Sequence, residues 1–258
     1  QKTAYEIKEC DWSSDVCSSD LESIDAAKFG SILHKVMELL YLSYKFEITE
    51  QIIDSRLNEL DSVIEKAFDI EHKSGMHNLR GTDILTVEVI KVMARRILEL
   101  DRKIVPFKII HTEGEFLSTL ETASGTVRIT GIFDRVDEKD GINRIVDYKT
   151  GKVELATKSV QDLFIKEDKK TLFQLHFYKM LYGDLHPEAE TEVGFYAVKK
   201  MKEGFVTPKS KITAAVVEEF RGLLAATISE LFDREIPFTQ TANSNKCKIC
   251  AYKDICKR

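Results

Sequence analysis

No stretch of this 258-residue chain approaches the roughly 20 consecutive apolar residues that a membrane-spanning helix needs. No signal peptide is recognisable at its start, and the expected location is cytoplasmic. A surplus of positive charge is missing too. The 38 Lys and Arg against 43 Asp and Glu leave a net charge of -5, which is not what a dedicated nucleic-acid binder advertises. A local basic groove can still coexist with an acidic whole. There is no internal repeat and no long low-complexity tract. Cysteine is scarce: of five, three (Cys247, Cys250 and Cys256) lie at the end of the chain. With 43% hydrophobic and 31% charged residues, the composition is that of a soluble globular protein with a real core, and the length suits one domain after a short leader.

The informative stretch is Gly131 to Lys152. Two runs of alternating apolar and polar residues flank Lys139-Asp140-Gly141, and Asp-Gly between such runs predicts a β-hairpin. On its second arm Ile145, Asp147 and Lys149 share a face, because strand side chains alternate with period two. The hairpin brings Asp134 near Asp147, and two carboxylates at one point repel unless a cation lies between them. Hard oxygen ligands of this kind suit Mg²⁺ or Mn²⁺. Lys149 then sets an ammonium beside the ion, where it can orient a water and stabilise the transition state of phosphodiester hydrolysis.

Gly131-x-x-Asp134 followed by Asp147-Tyr148-Lys149-Thr150-Gly151 resembles the core of the PD-(D/E)XK nucleases, in the form found in RecB- and AddB-type DNA-end-processing enzymes. Upstream, Phe29, Leu33, Val36, Leu40 and Tyr44 predict an amphipathic helix over 24–44. Gly30, His34 and Glu38 recur on one of its faces, and this G-x-x-x-H-x-x-x-E pattern resembles the leading motif of the same nucleases, whose histidine reaches the metal. Downstream, Gln174 and Tyr178 fall one helical turn apart and resemble the Q-x-x-x-Y motif that follows the lysine strand. The strand Glu113-Gly-Glu-Phe116 resembles the family's strand bearing a metal- or water-associated glutamate. Glu113 and Glu115 point the same way on a regular strand, and Glu113 is the favoured member.

Between these motifs, helices are predicted over 50–68 (Ile52, Ile53, Leu57, Leu60, Ile64) and 81–101 (Leu85, Val89, Val92, Met93, Ile97, Leu100), read as a lid or spacer without chemistry of its own. The loop holding His72 and His77 is read as solvated, as are Arg95 and Arg96. Residues 154–170 are polar and lysine-rich and read as a mobile loop. Residues 192–198 form a strand that Gly204 to Val206 pairs with, and 212–232 a helix buried along Val216, Phe220, Leu223, Leu224, Ile228 and Leu231. His176, off the Gln174–Tyr178 face, reads as structural. The fold class is α/β, a restriction-endonuclease-like mixed central sheet flanked by helices.

Residues 1–21 read as an artefactual leader. Gln1 to Ile7 and Asp11 to Leu21 resemble the in-frame translation of a sequencing adapter, so Cys10, Trp12 and Cys17 carry no biology and the native chain is longer. Residues 22–258 are then the nuclease domain: a helical part with the histidine motif (22–104), the catalytic α/β core (105–240) and a cysteine tail (241–258). In that tail Cys247-x2-Cys250-x5-Cys256 favours a metal over a disulfide, with thiolates selecting zinc or iron–sulfur. The tail resembles the C-terminal end of AddB-type nuclease domains, which implies a [4Fe–4S] cluster whose fourth cysteine lies upstream; zinc is the alternative.

The resemblance implies a Mg²⁺- or Mn²⁺-dependent deoxyribonuclease, an exonuclease rather than an endonuclease. DNA, single-stranded ends above all, is the implied substrate. A helicase domain upstream, or a helicase–nuclease partner subunit, and a role in double-strand-break repair are implied with it. Asp134, Asp147, His34 and the Tyr148 carbonyl would hold the ion, with Glu113 reaching it through a water. Lys149 would position the nucleophile, and Gln174 and Tyr178 would support strand and substrate. A catalytically inactive DNA-binding scaffold and a zinc-binding interaction module are the other classes left open.

Overall fold

Asp25 starts the first helix, its side chain accepting the Lys28 N–H at 2.8 Å and so satisfying one of the free donors at a helix N-terminus. In the computed structural model, which describes residues 24–42, 47–72, 75, 79, 81–151, 153–197, 204–237, 239, 247, 248 and 250–256, this helix is α1 (Ala26–Tyr41). Tyr44, at the end of the predicted stripe, lies outside the described residues. Ile32, Leu33, Val36, Met37 and Leu40 are buried. They pack against α2 (Glu50–Glu71) and α3 (Thr82–Arg102). Each such side chain contributes about 1.5–3 kcal/mol when fully buried. The exposed pairs on these helices, such as Arg56 with Glu59, add about 0–1 kcal/mol each. Burial therefore holds the helical layer together.

The predicted stripe of α3 is displaced. Ile90, Ala94, Ile97 and Leu98 are buried, whereas Leu85 is 66% and Val92 53% exposed. The six expected apolar residues cover more than one face, and residues two apart on a helix point to opposite sides, so only the face meeting α1 and α2 is covered. Of the loop between these helices, His77 lies outside the described residues, while His72 is buried at the end of α2.

Six strands form one sheet in the order β1 (Glu47–Ile48), β2 (Phe107–Thr122), β3 (Gly125–Lys139), β4 (Ile142–Lys149), β5 (Thr191–Ala197), β6 (Phe205–Val206). All neighbours are antiparallel except β4 and β5. A parallel pair needs a crossover, made here by α4 (Asp162–Ile165) and α5 (Lys170–Leu185). Residues 154–170 are thus no featureless loop: Val160 and Leu163 are buried and seat the crossover on the sheet. Together with α6 (Ala214–Phe232), α5 covers the face opposite α1–α3. Along α6, Phe220 is fully buried but Leu231, expected inside, is 55% exposed at the helix end. Among the described residues, no helix is long and apolar enough to cross a membrane.

The turn between β3 and β4 has two residues, Asp140 (φ 54°) and Gly141 (φ 82°), closed by the pair Lys139 and Ile142. Positive φ at both positions is the primed turn whose twist matches a hairpin. Two glycines permit close approach elsewhere. A Cβ on Gly131 would lie 3.1 Å from Leu181 and 3.3 Å from Phe177 on α5. One on Gly194 would meet the Val206 carbonyl oxygen at 2.5 Å and the Phe205 ring at 2.8 Å. The first neighbours are side chains that can give; the second includes backbone of β6.

Gly194→Ala should therefore push β6 off β5 and cost about 1–3 kcal/mol, read as a lower denaturation midpoint. An unchanged midpoint would contradict the packing described.

Candidate metal and nuclease site

Residues two apart on a regular strand face the same way, and β3 breaks this rule at Asp134. Phe133 stacks on Phe116 in the core beneath α5. Arg135 instead lies among the rings of Tyr41, Phe107 and Tyr196 on the side of α1–α3. On β2, Glu113 lies between the partners of Arg135 and Phe133 and has a φ of 46°. A non-glycine residue in this left-handed region costs about 1–3 kcal/mol and marks a place where surrounding structure dictates the backbone. This irregularity, not strand alternation, separates the two glutamates. Glu113 turns toward Asp134, while Glu115 is exposed and accepts the Thr130 hydroxyl at 3.2 Å.

One ligand atom each from His34, Glu113 and Asp134 lies within 4.8 Å of the others. His34 reaches across from α1: its Nε2–H donates to the Tyr148 carbonyl at 2.9 Å, and its Nδ1 lies 3.4 Å from Asp134 Oδ1. The other Asp134 oxygen accepts the Tyr148 backbone N–H at 2.8 Å. On the neighbouring strand Asp147 is almost fully buried, and its two oxygens lie 2.9 and 2.8 Å from the Lys149 ammonium. Gln174 donates from Nε2 to Asp147 Oδ1 (3.0 Å) and to the Tyr178 hydroxyl (2.6 Å), which in turn donates to the Ile132 carbonyl (2.8 Å). All of the expected catalytic residues thus meet at one place. Asp147, expected beside Asp134 on the ion, stands outside the three-ligand cluster, because Lys149 and Gln174 already engage its carboxylate.

The electrostatics follow from crowding acids in a partly buried place. Burial pushes the Asp147 carboxyl up, the Asp134 charge adds to this and Lys149 offsets part of it, leaving a pKa of about 6. Glu113 rises to about 7, first through burial and then through Asp134. Burial alone would lower His34. Its hydrogen bond and charge interaction with Asp134, then the Tyr148 carbonyl and the Asp147 charge, more than offset this and raise it to about 9. A protonated imidazole and an ammonium therefore balance the acids. The donor set fits a hard divalent ion: carboxylates, one backbone carbonyl and one imidazole. Asp147 Oδ2 is buried without a hydrogen-bond partner, its contact with Lys149 being an ion pair only.

Sequence reasoning gave no place to Asp101 on α3. Its buried carboxylate accepts a bidentate pair from Arg135 (2.7 and 3.0 Å) directly behind Asp134. An arginine amid the apolar positions of β3 was the available signal, since a buried guanidinium demands an acid. His176 donates from Nδ1 to the Leu172 carbonyl at 2.7 Å, away from the site. At the chain's end Cys247, Cys250 and Cys256 form no disulfide among the described residues. The Tyr252 N–H donates to Cys250 Sγ at 3.4 Å. The metal-sized cluster found among the described residues does not include these cysteines.

The model of one protein family matches residues 14–257, nearly the whole chain: the PD-(D/E)XK nuclease superfamily. The chain belongs to that superfamily. The mixed sheet flanked by helices is accordingly its restriction-endonuclease-like fold, and the superfamily's divalent-metal nuclease chemistry matches the donors gathered around Asp134. The match extends into the adapter-like leader, which lies outside the described residues. No curated protein matches. The crystal structure of SSO0001 resembles 87% of this chain and 94% of its own, at 13% identity and a TM-score of 0.33, a likeness too distant to say anything of function.

Three raised pKa values set a pH dependence for this PD-(D/E)XK domain without metal. A folded-state pKa above the unfolded value stabilises fully below the unfolded pKa and is lost as pH rises through the folded one. For His34 that window runs from 6.5 to about 9, for Glu113 from 4.5 to about 7, and for Asp147 from 3.8 to about 6. The thermal midpoint of the metal-free protein should fall progressively from about pH 4 to about pH 9, the last part carried by His34, and recover on adding Mn²⁺. A flat profile, unaltered by His34→Ala, would exclude this account.

Proposed function

We propose that the chain is a divalent-metal-dependent deoxyribonuclease, acting at single-stranded DNA ends as an exonuclease within a helicase–nuclease for break repair in the cytoplasm. The observation that supports it most is the meeting of His34, Glu113 and Asp134 within 4.8 Å, beside the Asp147–Lys149 pair. Asp134, Asp147, His34 and the Tyr148 carbonyl would hold Mg²⁺ or Mn²⁺, with Glu113 reaching it through a water. When bound, such an ion lowers the pKa of a coordinated water and neutralises charge on the scissile phosphate.

The chain's own residues then have separable tasks. His34 must give up the proton on Nδ1, the nitrogen facing Asp134 and Glu113, before it can serve as a ligand, while its Nε2–H on the Tyr148 carbonyl fixes the ring. Lys149 orients the attacking water and offers a positive charge to the phosphate as negative charge builds on it. Gln174 holds Asp147 and Tyr178, and Tyr178 in turn fixes the Ile132 carbonyl on β3, so the two acid-bearing strands keep their spacing. The superfamily match supports DNA as substrate. The end preference and the helicase context rest on the RecB- and AddB-type resemblance of the motifs.

For the tail, Cys247, Cys250 and Cys256 would bind a [4Fe–4S] cluster completed by a cysteine upstream, with zinc as the alternative ion. Residues 1–21 would be foreign to the native protein.

Asp134→Ala and Lys149→Ala should each reduce Mn²⁺-dependent cleavage of single-stranded ends by about a hundredfold or more, with circular dichroism showing each variant folded at the assay temperature. A purified variant that still cleaves refutes the role assigned to that residue. Metal analysis decides the tail: iron with sulfide absorbance supports the cluster, and zinc without it supports the alternative.

A further inference from the structure

We propose that Asp101 is a positioning residue for the ion site, and that it acts through Tyr41 to set His34 against Asp134. This inference rests on the metal-site reading above. Asp101 is fully buried, and both its oxygens are used twice. Oδ2 accepts Arg135 Nη1 (2.7 Å) and the Tyr41 hydroxyl (2.5 Å); Oδ1 accepts Arg135 Nη2 (3.0 Å) and the Tyr196 hydroxyl (2.8 Å). One carboxylate thereby joins α1, β3 and β5 to α3. Arg135 Nη1 adds β4 through the Tyr148 hydroxyl at 3.1 Å.

Three of the residues gripped by this knot lead to a ligand. Arg135 follows Asp134. Tyr148 gives its N–H to Asp134 and its carbonyl to His34. Tyr41 lies about two turns along α1 from His34, on the same side of the helix. Besides the His34–Asp134 contact, two side-chain hydrogen bonds fix α1 around the site: His34 to Tyr148 on β4, and Tyr41 to Asp101 on α3. The first can persist when an ion binds, because His34 faces Asp134 and Glu113 with Nδ1 and Tyr148 with Nε2. The second lies outside the ion site and sets the orientation of an α1 that burial already holds in its layer. Tyr196 makes an equivalent bond to the same carboxylate but comes from β5, where it pairs with and stacks on Tyr148. Of the two tyrosines, Tyr41 is the one carried by the helix that bears His34.

Tyr41→Phe and Tyr196→Phe remove one buried hydroxyl each and keep the ring that packs on Arg135. In the full chain, free Mn²⁺ counted by electron paramagnetic resonance gives the affinity, and the Mn²⁺ concentration for half-maximal cleavage gives a second reading. Tyr41→Phe should weaken Mn²⁺ binding by about tenfold, in the manner of lost outer partners of a metal site, with cleavage at saturating Mn²⁺ retained. Tyr196→Phe should lower the thermal midpoint similarly but leave Mn²⁺ affinity as in the parent protein. Equal shifts in both variants, or none in Tyr41→Phe, overturn the proposal. His34→Ala separates this failure from failure of the site: if it binds Mn²⁺ as tightly as the parent, the ion-site reading falls and the positioning role with it.

Discussion

A two-residue turn governs this molecule. Asp140 and Gly141 take positive φ and leave Lys139 facing Ile142, so the register runs back along β3 and β4 to Arg135 against Val146 and sets Asp134 beside Asp147. Slippage by one residue would carry every side chain of a strand to the other face. A slip of β4 would carry Asp147 into the aromatic cluster around Arg135, and a slip of β3 would turn Arg135 toward α5 with no acid to receive it. The acids of the site and the salt bridge behind it are thus two faces of one register. The same turn secures both.

The acids themselves are held against their own repulsion. Asp134, Asp147 and Glu113 crowd a half-buried corner, and without a metal the molecule answers with a proton on His34 and the Lys149 ammonium. Such a site is destabilising until neutralised, as expected where function rather than stability selects the residues. Below it, the buried polar knot has the opposite character. Both Asp101 oxygens are used twice, and the surroundings are aromatic and apolar. A loose site stands on a tight base.

What could be read from the sequence was local. The Asp-Gly turn, the period-two arms and the Gln174–Tyr178 pair one turn apart need only a few neighbouring residues, and the structure brings these elements where the periodicities predict. The mixed sheet flanked by helices was legible for the same reason. What escaped depends on contacts far apart in the chain. Asp101 bonds residues 34, 60 and 95 positions away, and nothing in α3 distinguishes it from a solvated acid. The buried face of α3 was misjudged because its apolar residues outnumber one face, and only the partner helices decide which are covered. The turn of Glu113 out of the extended region is imposed by the sheet, so alternation could not separate it from Glu115. Residues 154–170 read as polar because two buried side chains suffice to seat so short a crossover.

The knot behind the site continues beyond Asp101 and Arg135. Arg135 Nε lies 2.8 Å from Asp137, whose other oxygen accepts Arg144 Nε at 2.6 Å. Acid, base, acid, base run in a line through the interior, and their formal charges cancel. Removing one member of such a row strands its neighbour's charge out of reach of water, at a cost of about 3–5 kcal/mol. Replacing an end pair together by apolar side chains, Asp101 with Arg135 or Asp137 with Arg144, strands none. Relatives that lack one of these four residues should therefore lack its neighbour too, and their interiors should differ from this one in steps of two.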